Sequence, residues 1–345
     1  MCSIASLRSG ARPSTAPRAA ERGRIVAEFA LIAGIAAQAG AMRDDVLLGI
    51  GDDAALLQPP CGEVLVACTD TLNAGVHFPP GTAPADIGWK ALAVNLSDLA
   101  AMGATPRWAL LALSLPAADA GFVAALAEGF DALAHIHGVA LIGGDTTRGP
   151  LALTVTALGS VPRHAALRRA GAQPGDAVLV TGTLGDAAAG LRLLQGLLTA
   201  SASIAAPLRA RLDRPQPRIA AGLALRGIAH ACIDLSDGLL ADLGHICAAS
   251  GVGAELEAAA LPLSPQLRAL LPAAVAQELA LTGGDDYELC CCVPPARVDA
   301  ALRALQEAGS AGCVIGRIVT GEGVRVRGAD GHWLTPPARG YEHFV

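Results

Sequence analysis

One lysine, Lys90, stands among 345 residues, and all other Lys/Arg positions are arginine. A Walker A phosphate loop requires Gly-Lys-Ser/Thr, yet here the lysine follows Trp89, so that class of nucleotide site is excluded. A net charge of -6 and a pI near 5.7 leave no broad basic surface, which argues against nucleic-acid binding. The arginine bias, with abundant alanine, fits a GC-rich genome rather than a function. No run of 18 or more apolar residues is present to span a membrane, and no secretory apolar segment precedes the expected fold. A reducing, cytoplasmic setting is therefore expected. Metal-binding histidine spacing and a Ser-His-Asp order are also missing. The nine cysteines show no paired metal spacing, and Cys290, Cys291 and Cys292 are consecutive, so on a strand they alternate faces as small core residues.

What the chain does have is apolar bulk and acidic turns. Hydrophobic residues make up 52% and charged residues 16%, and the length suits two domains, each of roughly 150 residues. The 20 aspartates outnumber the 11 glutamates. Their excess sits in short turns: "GIGDDAAL" (49–56), "CTDTL" (68–72), "LIGGDTTRG" (141–149), "CIDLSDGLLADL" (232–243) and "LTGGDDYELC" (281–290). An isolated turn aspartate commonly bonds its own backbone. Several converging would behave otherwise, because two carboxylates about 4 Å apart repel by roughly 4 kcal/mol at an effective dielectric near 20. Such a cluster takes up protons or binds cations, and short oxygen-only side chains suit magnesium, which works with substrate phosphates.

The hydrophobic pattern alternates strands and helices, which predicts an α/β or α+β architecture in two domains divided near residue 163. Residues 1–24, with Arg8, Arg12, Arg18, Arg22 and Arg24 against the single acid Glu21, read as a disordered extension whose composition also imitates a transit peptide. A helix is expected over 25–40. "PADIGWKALAVNLSDLAAMGATP" predicts a second helix, with Asp86 as N-cap and Gly103 and Pro106 as stops, and with Asn95 and Asp98 on one face. Strands are expected in "WALLALSLP", "VALIGGDTT", "LALTVTALGSVP" and "AVLVTG", with a helix over 119–137. "GTLGDAAAG" is compatible with either a phosphate-binding loop or a tight strand-to-helix turn. Trp89 and Lys90 read as packing and snorkelling residues, Asp52 as a turn cap, and Asp242 and His245 as structural.

In order and spacing, "GIGDDAAL", "TDTLNAGVHF", "KALAVNLSDLAAMGATP", "LIGGDTTRGPL", "RAGAQPGD", "VTGTLGDAAAGL", "IDLSDGLLADLGHI", "GGDDYEL" and "GYEHF" resemble the thiamine-monophosphate kinase family over about residues 25–345. The resemblance implies ATP-dependent phosphorylation of thiamine monophosphate, on the two-domain fold shared with aminoimidazole ribonucleotide synthetase. It also implies a homodimer formed through N-terminal β-sheets. Carried over by position, Asp53, Thr69, Asp70, Asp98, Asp145, Asp234 and Asp237 would hold several Mg2+ ions; Gly144, Asp145, Arg169 and Ser236 would contact ATP; His77, Asp285 and Tyr341 would line the thiamine phosphate site. Two positions depart from the family pattern. Cys68 stands where Ser or Thr is common, so a metal contact there would come from its backbone carbonyl. Asp285 replaces the usual Glu and is one methylene shorter. Rival readings are another ATP-using enzyme of the fold, such as a selenophosphate or aminoimidazole ribonucleotide synthetase, or a non-catalytic nucleotide or cation sensor.

Overall fold

The computed structural model describes residues 28–38, 43–335 and 340–341; the expected extension at 1–24 lies outside the described residues. In chain order the first half runs α1 (Glu28–Gln38), a hairpin of β1 (Val46–Leu48) and β2 (Leu56–Leu57), β3 (Glu63–Asn73), α2 (Pro84–Ala101), β4 (Thr105–Leu115), α3 (Ala120–His137), β5 (Ala140–Arg148) and β6 (Ala152–Pro162). Strands β3 to β6 form one sheet in the order β3-β6-β4-β5, antiparallel except for the β4/β5 pair, whose crossover is α3.

Alternation gives this sheet two unlike faces. On β3, Val66, Cys68 and Leu72 pack into the core beneath α2 and α3, whereas Leu65, Ala67, Thr69 and Thr71 point the other way and are exposed. The β1–β2 hairpin covers part of that second face through Val46, which packs with Trp108 and Ile142.

Helix α2 is buried around most of its circumference because it lies between the first sheet, α3 and the second half of the chain. Its entry differs from expectation. Ala83 occupies the N-cap position and Pro84 opens the helix, as proline can where no amide bond is needed. Asp86, one turn in, instead pairs with Arg214 from the second half. Small residues let α2 and α3 cross closely: a Cβ on Gly88 would lie 1.9 Å from the Leu126 carbonyl oxygen, and one on Gly129 would lie 1.8 Å from that of Ala85. Helix α3 begins as the sequence suggests, with Asp119 accepting from the Gly121 and Phe122 amides, and ends on Gly138 in the left-handed conformation.

The second half contributes β7 (Ala177–Thr181), α4 (Asp186–Leu194), α5 (Ala202–Asp213), α6 (Ile219–Ala224), β8 (Ala231–Asp234), α7 (Leu239–Ser250), β9 (Gly253–Glu257), α8 (Pro265–Leu270), α9 (Ala273–Thr282), β10 (Leu289–Val293), α10 (Val298–Glu307), β11 (Gly312–Val319) and β12 (Gly323–Arg327). Its six strands order as β12-β9-β11-β7-β10-β8, with β12/β9 the parallel pair. Strands β7, β8 and β10 are buried on both faces and mainly apolar, whereas β9, β11 and β12 toward the other edge are partly exposed and carry Glu255, Arg317, Arg325 and Arg327. The consecutive cysteines behave as alternation requires: Cys290 and Cys292 enter the core under α7, while Cys291 faces the core shared with the first half. The result is a two-domain mixed α/β fold whose halves meet along α2.

Candidate active site at the junction of the two sheets

Three aspartates from separate elements converge where α2 meets β8. Asp70 lies on the helix-facing side of β3, between Cys68 and Leu72. Asp98 projects from α2, and Asp234 ends β8, 5% exposed. Burial, with the charges of Asp234 and Asp70, pushes the Asp98 carboxyl up to about 7. Burial also raises Asp234, to about 6, with Asp70 adding to the effect. Asp70 is raised by burial alone. The nearby cation is Arg169, which lowers both Asp98 and Asp234 without offsetting the burial of the group. The Ser97 hydroxyl is wholly buried beside Asp234, near enough to lower its carboxyl but without a well-formed hydrogen bond. A cluster of this kind is short of positive charge.

The turn that follows β8 organises the rest of the site through its backbone. Asp242, from the first turn of α7, accepts from the amides of Asp237 (3.1 Å) and Gly238 (3.0 Å), the structural role expected of it. The carbonyls of Leu235, Ser236 and Asp237 then receive the amides of Tyr287, Asp285 and Tyr341, respectively. One turn thereby holds Ser236, Asp237, Asp285 and Tyr341 in a single neighbourhood, although 105 positions separate Ser236 from Tyr341.

The three acids of the "GGDDYEL" stretch divide between site and scaffold. Glu288 is wholly buried and accepts from Thr181 (2.7 Å), Arg211 (2.6 Å) and Arg218 (2.6 Å). Asp286 accepts the Gly185 amide at 2.8 Å; its other oxygen has no partner, and burial holds its carboxyl well above the ordinary range. Because Asp286 occupies the Gly185 amide at the N-terminus of α4, "GTLGDAAAG" serves as a strand-to-helix turn with that amide already engaged. Asp285 alone faces outward. Its Oδ1 accepts from the Tyr287 hydroxyl (3.0 Å) and its Oδ2 from the Lys90 ammonium (3.1 Å). Lys90 also donates to the His77 carbonyl at 3.1 Å, so one ammonium joins two residues expected at the thiamine phosphate site. The His77 ring is oriented by the Asn73 amide, which donates to Nδ1.

Other expected residues lie elsewhere in the chain. Thr69 is on the opposite face of β3 from Asp70, with its hydroxyl donating to the Val155 carbonyl. Asp145 is on β5, level with Ala112, Thr154 and Thr71 across the sheet, which places it three strand spacings, about 14 Å, from β3. Gly144 beside it packs so closely on β4 that a Cβ would lie 1.8 Å from the Leu111 carbonyl oxygen. Asp53 is exposed beyond β1, in the hairpin on that same outer face, where Asp52 caps its amide. Within one chain, then, Asp70, Asp98 and Asp234 converge, with Arg169 beside the last two and Ser236 and Asp237 on the turn that follows β8, while Asp53, Thr69 and Asp145 belong to the other side of the first sheet. The Cys68 thiol turns inward and donates to the Asn95 carbonyl (3.3 Å), and burial holds its pKa far up. Asn95 is wholly buried and bonds back to Ala91, a packing role rather than a share in the Asp98 cluster. Among the described residues no three His, Cys, Asp or Glu side chains are grouped tightly enough to hold a metal ion by themselves.

Residues 51–161 match the AIR synthase related protein, N-terminal domain, and residues 173–329 match the corresponding C-terminal domain. The chain is 49% identical over 321 residues to the thiamine-monophosphate kinase of Salmonella typhimurium, covering 92% of this chain and 98% of that protein. The chain belongs to the thiamine-monophosphate kinase family. The crystal structure of the thiamine-monophosphate kinase from Stenotrophomonas maltophilia superposes with a TM-score of 0.82 at 56% identity, covering 90% of this chain and 98% of that one. AaThiL complexed with AMPPCP and TMP superposes with a TM-score of 0.73 at 34% identity, covering 86% and 92%.

Within this thiamine-monophosphate kinase fold, sequence reasoning passed over Lys90, Ser97 and Tyr287. Lys90 had one available signal: it is the sole lysine, and it shares a helix face with Val94, Ser97 and Asp98. Tyr287 had none, because its role depends on a left-handed backbone at both Asp285 (φ 68°) and Tyr287 (φ 49°).

Proposed function

We propose that the chain transfers the γ-phosphoryl group of ATP to the phosphate of thiamine monophosphate, producing thiamine diphosphate and ADP. The observation that carries this reading is the meeting of Asp70, Asp98 and Asp234 beside Arg169, on the same turn that holds Asp285 and Tyr341. An acidic, cation-deficient cluster next to an oriented polar pocket fits a reaction between two polyanions better than it fits hydrolysis or redox chemistry.

An oxygen of the acceptor phosphate forms the new bond to the γ-phosphorus as the bond to the bridging β,γ oxygen breaks, and that electron pair leaves with ADP. The acceptor is already ionised near pH 7, since a phosphate monoester has its second pKa near 6. No general base is needed, and none is assigned. The contribution of the chain is alignment and charge placement. Arg169 and Ser236 lie where the nucleotide phosphates would enter, and His77, Asp285 and Tyr341 where the thiamine phosphate would lie.

The donor set fits Mg2+. It consists of hard carboxylate oxygens, raised in pKa chiefly by burial and, at Asp98 and Asp234, by neighbouring carboxylates as well, beside the buried Ser97 hydroxyl. Asp70, Asp98, Asp234 and Asp237 would hold the ions, with water and phosphate oxygens completing the coordination. When bound, Mg2+ supplies the positive charge that a chain with one lysine lacks. Asp53, Thr69, Asp145 and the Cys68 carbonyl are proposed as further ligands or phosphate contacts reached from the outer face of the first sheet. A second copy packed on that face, where Leu65 is 53% exposed, would form a homodimer. Residues 25–163 and 164–345 are proposed as the two domains.

The deciding assay is coupled release of ADP with thiamine monophosphate, thiamine and aminoimidazole precursors, each with and without Mg2+. Turnover with thiamine monophosphate and metal only is expected. Tight ATP binding without turnover on any of the substrates would replace the kinase with a sensor.

A further inference from the structure

The single lysine of the chain is 3% exposed in the middle of α2, a position where an unpaired ammonium would be costly. Its two partners come from different halves of the molecule. The His77 carbonyl belongs to the loop after β3, and the Asp285 carboxylate to the segment before β10. The Asp285 carboxylate is then fixed on both oxygens, because Tyr287 donates to the other one, and its amide is tied to the Ser236 carbonyl. Two non-glycine residues in left-handed conformations within three positions persist only where the surroundings determine them firmly. Here the amides of both residues are tied to the turn after β8, and the Tyr287 ring packs in the core, so the backbone that aims the Asp285 carboxylate is held firmly. Asp285 keeps about a third of its side chain open, whereas the side chain of Lys90 is 4% exposed. The carboxylate thus presents a free edge to the site, and the ammonium supports it from behind.

Lys90 also sits on the face of α2 that bears Ser97 and Asp98, eight residues or about 12 Å nearer the helix start. The acid cluster and the Lys90–Asp285 pair therefore occupy two ends of one surface. The other charges near the ammonium are Asp213, and Asp86 beyond it, which is engaged by Arg214.

We propose that Lys90 is a positioning residue for thiamine monophosphate: its ammonium locks the His77 loop to the Asp285 carboxylate across the domain junction and balances that carboxylate's charge beside an anionic substrate. This rests on the kinase reading above. A lysine suits the place because a compact ammonium directs separate donors at converging acceptors, whereas a guanidinium is a planar fork.

The test compares wild type with Lys90→Met, Lys90→Arg, Asp285→Asn and Lys90→Met/Asp285→Asn, measuring KM for each substrate, kcat and thermal midpoint. In Lys90→Met the KM for thiamine monophosphate should rise about 10- to 100-fold, the range for losing one charge-assisted hydrogen bond, with KM for ATP unchanged within about twofold. Lys90→Arg should recover part of the loss. Lys90→Met/Asp285→Asn should bind thiamine monophosphate no more weakly than Asp285→Asn alone, since the lysine acts through that carboxylate. An unchanged KM for thiamine monophosphate in Lys90→Met would overturn the proposal. Equal rises in both KM values, with a lowered midpoint that arginine does not restore, would overturn it as well, marking Lys90 as a packing residue. Absence of turnover in the wild type would sink the kinase reading and this inference together, whereas an active wild type without the KM split sinks only the inference.

Discussion

Asp98 and Asp234 belong to different domains, and the charge on Asp234 helps hold the Asp98 carboxyl near 7. The relationship ties the acid cluster to stability. Both groups have native pKa values, about 7 and about 6, above the unfolded value near 3.9. The native state therefore binds more protons than the unfolded chain between pH 4 and 7. Their stabilising contribution is complete below pH 4 and is lost as pH rises through 7. In metal-free buffer at pH 8, Asp98→Asn is expected to be more stable than wild type by on the order of 2 kcal/mol, and the gap should close toward pH 4. Urea unfolding at both pH values measures it. Added Mg2+ should stabilise wild type more than the variant, and Asp98→Asn should lose most turnover.

Glu288 predicts a different outcome in the same short segment. Wholly buried, it is the shared ion-pair partner of Arg211 and Arg218. Glu288→Gln leaves two half-hidden guanidinium groups uncompensated and should cost about 3–5 kcal/mol, the usual loss when one partner of a buried pair is removed. A denaturation midpoint would register this loss of stability. Recovery in a variant that also removes both arginines would confirm that charge, rather than shape, is responsible.

Gly88 and Gly129 set the distance between α2 and α3. Alanine in a helix ordinarily gains up to about 1 kcal/mol over glycine. Here its Cβ would enter the opposing backbone, and the overlap should reverse the sign, destabilising by about 1–3 kcal/mol. Urea midpoints of Gly88→Ala and Gly129→Ala, set against Gly34→Ala in α1, where nothing lies within 4 Å of the added carbon, provide the comparison.

Cys68 makes a prediction of near silence. Its thiol donates to the Asn95 carbonyl inside the sheet–helix core, and a serine hydroxyl can make the same bond. Cys68→Ser should keep kcat and the Mg2+ dependence within about twofold, because the exchange keeps the donor and its acceptor. A steady-state metal titration checks this.

How much of this was legible beforehand varies from residue to residue. Strands and helices announced themselves through hydrophobic period and stop residues, as with the helix over 119–137 and the consecutive cysteines of β10. Asp86 did not: its N-cap reading was reasonable locally, but Pro84 starts the helix two residues earlier and Arg214 claims the carboxylate from the other half of the chain. Asp70, Asp98 and Asp234 were legible as acids in turns and on a helix face, but periodicity gave no sign that they meet. Lys90 reads from sequence as a snorkelling side chain because its partner, Asp285, lies 195 positions away.

The linear order of residues was sufficient to settle the family, the two-domain α/β character and the kinds of group available for chemistry, because motif spacing and hydrophobic period are local properties. Which acids support the scaffold and which face the substrate was decided only when the halves packed together. Burial, a strand's choice of face and a partner's approach from a distant segment set the partners and direction of Glu288, Asp286 and Asp285, three acids that stand almost side by side in the chain.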